Sequence, residues 1–443
     1  MSAAGNEAPR ASLSVADGVA MLVGIVVGIG IFKTPQMVAA NVDSEFGFVA
    51  AWLAGGVVTL VGALVYAELG SAYPSTGGEY AFLSRAFGRG VGLLFAWARL
   101  TVIQTGAIAL VAFVFGDYAQ RVLPLGRWGP TVYAASAIAA FTAVNFTGSP
   151  QGRGVQRLFT AVTVVAVLAI AALGLAGGPA QPPPPAQTGG GAAGLAMVFI
   201  LLTYGGWNEA AYISGELRDV RRAIARVLVL GCGAVTLLYV IVNLAFLRTL
   251  GLEGLRASDA VAADAMHALL GGAGATVLDL TVCCAALSTL NATIFTGARL
   301  YYAIGRDLPG LARFDRWDAR GNTPANALLL QSATALLLVG FGAATRGGFE
   351  AMVAYTAPVF WLFLLLVGVS LFVLRRRGAA EPGRFRVPFY PVTPLLFCLT
   401  CGYLLYASVV YAGLGSLVGV AVLALGLPLV LVRARAPATQ PGE

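Results

Sequence analysis

Two stretches combine residues that a purely structural membrane helix has no use for. In Gly24-Ile25-Val26-Val27-Gly28-Ile29-Gly30-Ile31-Phe32, three glycines interrupt the middle of the apolar run from Val15 to Ala40. In Leu201-Leu202-Thr203-Tyr204-Gly205-Gly206-Trp207-Asn208-Glu209, two glycines interrupt a second run and an amide and a carboxylate follow. A glycine in a helix interior costs ~1 kcal/mol relative to alanine. It also lets the backbone leave helical geometry, which lipid tolerates only where the chain is buried in protein or lines a cavity. The pair of stretches therefore predicts two broken helices around a binding site. The rival reading is close helix packing, since Gly24-x-x-x-Gly28 is also a small-residue contact motif. Breaks at corresponding positions of two halves favour the site.

Stepping out from these stretches, the 443 residues are 58% hydrophobic and 11% charged, against about 25% charged in soluble domains. A spanning helix needs ~20 apolar residues. Twelve candidates follow, near 16–40, 46–72, 91–117, 128–147, 156–177, 194–215, 226–248, 275–303, 325–344, 350–374, 389–411 and 415–432. The predicted architecture is an all-α membrane protein. A tail (1–15) precedes a first repeat (16–177), a Pro/Gly-rich external linker (178–193) and a second repeat (194–374). A basic loop (375–388), two peripheral helices (389–432) and a tail (433–443) complete it. Five segments precede the linker, an odd number, so the second repeat starts from the opposite side.

The net charge of +8 does not point to nucleic acid. Of the 28 basic residues, 21 fall on one side of the predicted spans, 6 on the other, and Arg99 is left within a span. By the positive-inside rule both termini are cytoplasmic. One Lys beside 27 Arg, with abundant Ala and Gly, points to a GC-rich bacterial genome. The five cysteines fall in predicted helices without metal-ligand spacing, and His267, the single histidine, is expected in a loop. With no paired acids, intramembrane His or metal cluster in the sequence, an enzyme is not expected. A charged residue in a spanning helix needs a partner or a wet cavity. Arg99 and Glu209 are expected to pair, linking the third segment to the sixth. The alternatives are that Glu209 selects a cationic substrate or Arg99 an acidic one. Glu68 and Glu79 are expected to cap or pair locally with Arg85 or Arg89.

Several motifs resemble one family. Gly28-Ile29-Gly30-Ile31-Phe32 is similar to the first-helix motif of the amino acid–polyamine–organocation transporters. Tyr66-Ala67-Glu68-Leu69, with Pro74, Gly77, Gly78 and Tyr80, resembles that family's second-helix signature. Tyr204-Gly205-Gly206-Trp207-Asn208 resembles helix 6 of the L-type amino acid transporter branch, and Ala298 to Asp307 the end of helix 8. The resemblance implies a 5+5 inverted-repeat core with discontinuous helices 1 and 6, and a bacterial inner-membrane permease that moves amino acids by alternating access. Helix N-termini offer unpaired N–H groups to a carboxylate, and C-termini offer carbonyls to an ammonium. On this basis Gly28, Ile29 and Gly30 would hold the carboxylate. Val23, Ile25 and Val26, with Leu202 and Thr203, would hold the ammonium, beside Gly205 and Asn208.

The sequence also departs from the pattern. Leu202 stands where the branch often has an aromatic gate. Thr163 stands where bacterial relatives carry a lysine in place of a coupling sodium ion, and Ser288 and Thr289 match the hydroxyls of sodium-coupled relatives. These three form a candidate ion site. No cofactor is expected, and Na⁺ or H⁺ coupling stays open. The loop from Gln120 to Pro130 has no Cys, so no disulfide-linked heavy chain is expected. A polyamine or other organic-amine carrier, and a membrane amino-acid sensor, are the alternatives.

Overall fold

The break in the first segment organises the fold. In the computed structural model, α1 (Val15–Val26) starts at a capping box: Asp17 N–H donates to Ser14 Oγ at 3.2 Å and Ser14 N–H to Asp17 Oδ2 at 3.0 Å. The helix stops at Val26. Val27 takes φ −74°, ψ 74°, and Gly28 N–H turns back onto the Val26 carbonyl at 2.7 Å, the bond pattern of an inverse γ-turn. The helix resumes as α2 (Gly30–Ala39). The structure describes residues 13–428 apart from 29, 148, 178–192, 259, 308–312, 315, 319–322, 345–347, 379–383 and 413. The Pro-rich linker and both tails thus lie almost wholly outside the described residues.

After α3 (Glu45–Ala72) and the short α4 (Glu79–Phe87), α5 (Arg89–Ala98) runs into a π-helical turn, Arg99–Ile103, and continues as α6 (Gln104–Val122). Helices α7 (Gly129–Thr147) and α8 (Ser149–Ala176) follow. The sixth segment begins as α9 (Ala193–Thr203) and then breaks. Gly206 adopts φ +105°, which favours glycine, and its Cβ would come to 2.6 Å from Ile25. Beyond it stand two 3₁₀ turns, Trp207–Ala211 and Ser214–Glu216, in place of a second half-helix. The chain continues through α10 (Val220–Ala257), α11 (Val261–Leu270), α12 (Gly272–Asp307), α13 (Ala325–Ala344), α14 (Gly348–Arg376), α15 (Val392–Ala412) and α16 (Leu414–Leu425). His267 lies on α11, not in a loop.

Eight helices among the described residues are long and apolar enough to cross a membrane. The other four expected spans correspond to the broken α1–α2, to α7, to α9 with its 3₁₀ turns, and to the short α16. Described residues form no strand; two isolated bridges are present. One of them, Leu13 beside Leu217, ties the entry of α1 to the exit of the second break through Leu13 N–H to Glu216 O (2.9 Å) and Arg218 N–H to Leu13 O (3.0 Å). The core forms where α1, α3, α6, α8, α10 and α12 pack on one another.

Candidate functional site

The two breaks meet. Tyr239, on α10, lies with its hydroxyl 2.7 Å from the Val26 carbonyl and 3.1 Å from the Thr203 carbonyl, the last groups of α1 and α9. One hydroxyl proton thus serves both broken ends. Tyr239 carried no signal beyond being a tyrosine in an apolar span, where a buried hydroxyl needs a partner. Gly24 answers the packing question. A Cβ there would overlap the side chains of Gln156 and Thr160 on α8 and come within 2.9 Å of Ser288 on α12. Gly24 therefore provides close approach, while the break itself falls at Val27 and beyond.

The carbonyls assigned to an ammonium each hold a protein donor. Val23 O accepts from Val27 N–H (2.8 Å), Ile25 O from Thr289 Oγ1 (3.2 Å), and Leu202 O from Gly205 N–H (3.1 Å). A carbonyl has two lone pairs, so one remains on each of these three, while Val26 O already accepts from both Gly28 N–H and the Tyr239 hydroxyl. Of the amides assigned to a carboxylate, that of Gly28 is spent on Val26, Ile29 lies outside the described residues, and Gly30 opens α2. The first-turn amides of α2, at Gly30, Ile31 and Phe32, have no acceptor within their own helix. Thr203 Oγ1 donates to Thr34 Oγ1 at 2.8 Å, which clamps α9 to α2.

A cavity of about 240 Å³ opens beside the breaks, roughly the room of eight waters. Ile25, Leu202, Gly205, Asn208, Arg99, Glu209 and Thr289 are on its wall. Val23, Val26, Gly28, Gly30, Thr203, Thr163 and Ser288 are not among the described residues of that lining. Most of the remaining wall is apolar: Leu110, Val111, Leu201, Phe360 and Trp361. Gln104 and Thr293 add polar groups, and Gln104 Nε2 donates to Thr293 O at 2.7 Å.

The three candidate ion residues are bonded differently. Ser288 and Thr289 hydroxyls reach the Gly24 carbonyl at 3.3 and 3.1 Å rather than their own helix. Gln156 Nε2 donates to Ser288 Oγ and to Thr160 Oγ1, both at 3.1 Å, and Asn291 Nδ2 donates to Gln156 Oε1 at 2.9 Å. Thr163 is buried and its hydroxyl has no partner among the described residues. Gln156 and Thr160 belong to this cluster although the sequence did not single them out.

At the polar end of the cavity Arg99 forms an ion pair with Glu209. The guanidinium also lies 3.4 Å from Glu79 Oε2 and stacks 4.4 Å from the Tyr212 ring. The π-helical turn that starts at Arg99 packs one extra residue into its turn, a common device at functional sites. Glu79 accepts from Tyr66 and Tyr212 hydroxyls, each at 2.5 Å, and from Asn208 Nδ2 at 3.1 Å. Glu209 accepts from Thr296 Oγ1 at 2.6 Å. The local pairing expected for the second-segment acids is thus corrected. Glu79 faces Arg99, 20 residues on, rather than Arg85 or Arg89. Glu68 forms a two-pronged pair with Arg375 on α14, at 2.7 and 2.5 Å. A second correction concerns Arg299, one of the 21 basic residues assigned by sequence to the cytoplasmic side. It lies on α12, fully buried, paired with Glu216.

Comparison with known proteins gives this geometry a setting. The amino acid permease family matches residues 13–431. The chain is 32% identical to the b(0,+)-type amino acid transporter 1 of Mus musculus, over 89% of this chain and 81% of that protein. It is 27% identical to the large neutral amino acids transporter small subunit 2 of Mus musculus, over 97% and 82%. It is 26% identical to the serine/threonine exchanger SteT of Bacillus subtilis, over 92% and 93%. The match runs through both breaks and the cavity between them, and the chain belongs to the amino acid permease family.

Proposed function

We propose that this multi-pass membrane permease carries neutral amino acids across the bacterial inner membrane by alternating access, with both termini cytoplasmic, twelve spans and a 5+5 inverted repeat. The observation that carries the reading is that the last turn of α1, at Ile25, and the second break, at Gly205 and Gly206, border one cavity. In this reading the substrate carboxylate meets the first-turn amides of α2, where the helix dipole favours it, once the elements around the cavity move, since Gly30, Ile31 and Phe32 are not on its wall in this arrangement. The ammonium takes the second lone pairs of the Ile25 and Leu202 carbonyls. The side chain lies against Leu110, Val111, Leu201, Phe360 and Trp361, a wall suited to an uncharged group. Leu202 stands at the edge of this space as the gating residue. Arg99 and Glu209 are engaged with each other, so neither is left to select a charged side chain. The polyamine reading rested on Glu209 and loses its motive here.

Sodium has little to gain at Ser288 and Thr289. Their hydroxyls already serve Gly24, and the Gln156 amide donates into the Ser288 oxygen. Replacing sodium by choline is expected to leave uptake unchanged. The decisive experiment is counterflow in proteoliposomes loaded with each of the twenty amino acids in turn. Neutral amino acids are expected to exchange and putrescine is not. Exchange confined to putrescine or to charged amino acids would overturn the reading.

A further inference from the structure

Glu79, Glu209 and Arg99 form a buried group of two carboxyls and one guanidinium, with side-chain exposures of 3%, 8% and 1%. Among the described residues, the ion-pair partner of both carboxyls is Arg99. That guanidinium is committed unevenly. It bonds Glu209 closely, reaches Glu79 only at 3.4 Å, and leaves Nε without a partner among the described residues although Arg99 is on the cavity wall. Fully ionised, the trio carries one uncompensated negative charge away from water, which a protein normally neutralises by protonation or by pairing.

We propose that the Glu79–Glu209 pair is a proton-binding site, holding one proton in the closed arrangement seen here and exchanging it in step with substrate. The inference rests on the transport reading above. A proton taken from water on one side adds to a carboxylate oxygen, giving a carboxylic acid. It returns to water on the other side when the elements around the cavity part. A metal cation fits less well, because Tyr66, Tyr212, Asn208 and Thr296 donors already occupy the carboxylate oxygens it would need. A proton needs no such room, and the tyrosine hydroxyls can turn from donating to accepting. The other titratable group beside Arg99 is Tyr301 on α12, whose hydroxyl lies 3.5 Å from the Leu100 carbonyl. Glu79 lies on α4, between the spans Glu45–Ala72 and Arg89–Val122. Burial raises its carboxyl above the usual glutamate range, against the lowering effect of Arg99, Tyr212 and Tyr66.

The test uses the whole protein in proteoliposomes containing pyranine, with the membrane potential clamped and a radiolabelled mixture of the common amino acids outside. An inward gradient of one pH unit is expected to concentrate label inside by up to about tenfold, the ratio for one proton per substrate, with acidification of the lumen. Label that exchanges in counterflow but neither accumulates under the gradient nor acidifies the lumen overturns the proton site and leaves the permease reading standing. Absence of counterflow for any amino acid overturns the permease reading itself. E79Q and E209Q are each expected to lose gradient-driven accumulation; its persistence in both overturns the assignment to this pair. The double variant Y66F/Y212F keeps the acids but removes two donors to the charged form. It is expected to move the midpoint of the uptake–pH profile upward, and an unchanged midpoint counts against the site.

Discussion

Among the described residues, two arginines are fully buried in ion pairs with glutamate, and they are held differently. Every nitrogen of Arg299 has a partner. Its Nε and NH2 meet both oxygens of Glu216, NH1 donates to Phe295 O at 2.6 Å, and the guanidinium stacks 3.4 Å from the Phe295 ring. Arg99 divides itself between two carboxylates, leaves Nε unpartnered and stands on the cavity wall. The first arrangement fixes one geometry, tying α12 to the 3₁₀ turn before α10. The second has slack, and it joins α4, the π-helical turn, the second break and α12, the elements that would part in the alternating access proposed above. A full set of partners fits a structural role, and a missing one fits the transport role proposed for the second pair.

The largest contrast should come from breaking each pair. Arg299→Gln leaves Glu216 buried without its partner, a loss of about 3–5 kcal/mol. It is expected to abolish recovery of folded protein by size-exclusion chromatography in detergent. Arg99→Gln is expected to be recovered folded, because Glu79 keeps Tyr66, Tyr212 and Asn208 and Glu209 keeps Thr296, yet to lose most transport. If Arg99→Gln unfolds as readily as Arg299→Gln, the distinction between the two pairs fails. A charge swap sharpens the same contrast. Arg299→Glu with Glu216→Arg exchanges two groups whose side-chain hydrogen bonds, among the described residues, go to each other and the Phe295 carbonyl, so partial recovery of folding over Arg299→Glu alone is expected. Arg99→Glu with Glu209→Arg sets a carboxylate against Glu79 and is expected to give no uptake. Equal rescue of both would show that Glu79 does not belong to the second group.

Smaller effects probe the breaks. Gly206→Ala forces a Cβ into a left-handed conformation and against Ile25, at about 1–3 kcal/mol of strain. Transport is expected to fall at least tenfold while the protein remains folded. Tyr239→Phe removes one proton shared by two carbonyls. The expected loss is about 0.5–1.5 kcal/mol, measured as a modest fall in thermal midpoint and in uptake. A Tyr239→Phe protein with unchanged midpoint and uptake would mean that the two broken ends hold each other without it.

The same contrast explains what the sequence disclosed. Breaks at Gly28–Gly30 and Gly205–Gly206 were legible because glycines in an apolar run have few other uses. Arg99 was legible because a charge at membrane depth demands a partner. Arg299 was hidden by its place near the end of a long span, where it read as a loop charge. Glu79 was hidden because its partner is 20 residues away and sequence spacing favours the neighbouring Arg85. The second half of the sixth segment read as helix and folded as 3₁₀ turns, since tertiary contacts of Asn208 and Glu209 decide it. The Gln156 cluster was invisible because an amide, a threonine and a serine on two helices acquire meaning only when Gly24 lets those helices close in.

Thr163 marks the small end of the scale. Sequence comparison set it, with Ser288 and Thr289, at a candidate ion site, but its hydroxyl is buried at 1% exposure with no partner among the described residues, while the other two hydroxyls reach α1. A buried hydroxyl without a bond carries its desolvation cost for no return, so replacing it with a methyl of similar shape is close to neutral or slightly stabilising. Thr163→Val is therefore expected to keep transport within twofold and to shift the thermal midpoint little or upward. Ser288→Ala instead removes one of the two acceptors of the Gln156 amide and weakens the seam between α1, α8 and α12, so it should lower both. If Thr163→Val abolished uptake while Ser288→Ala did not, the active hydroxyl would lie on α8, and the division between a working cluster and a silent neighbour would have to be redrawn.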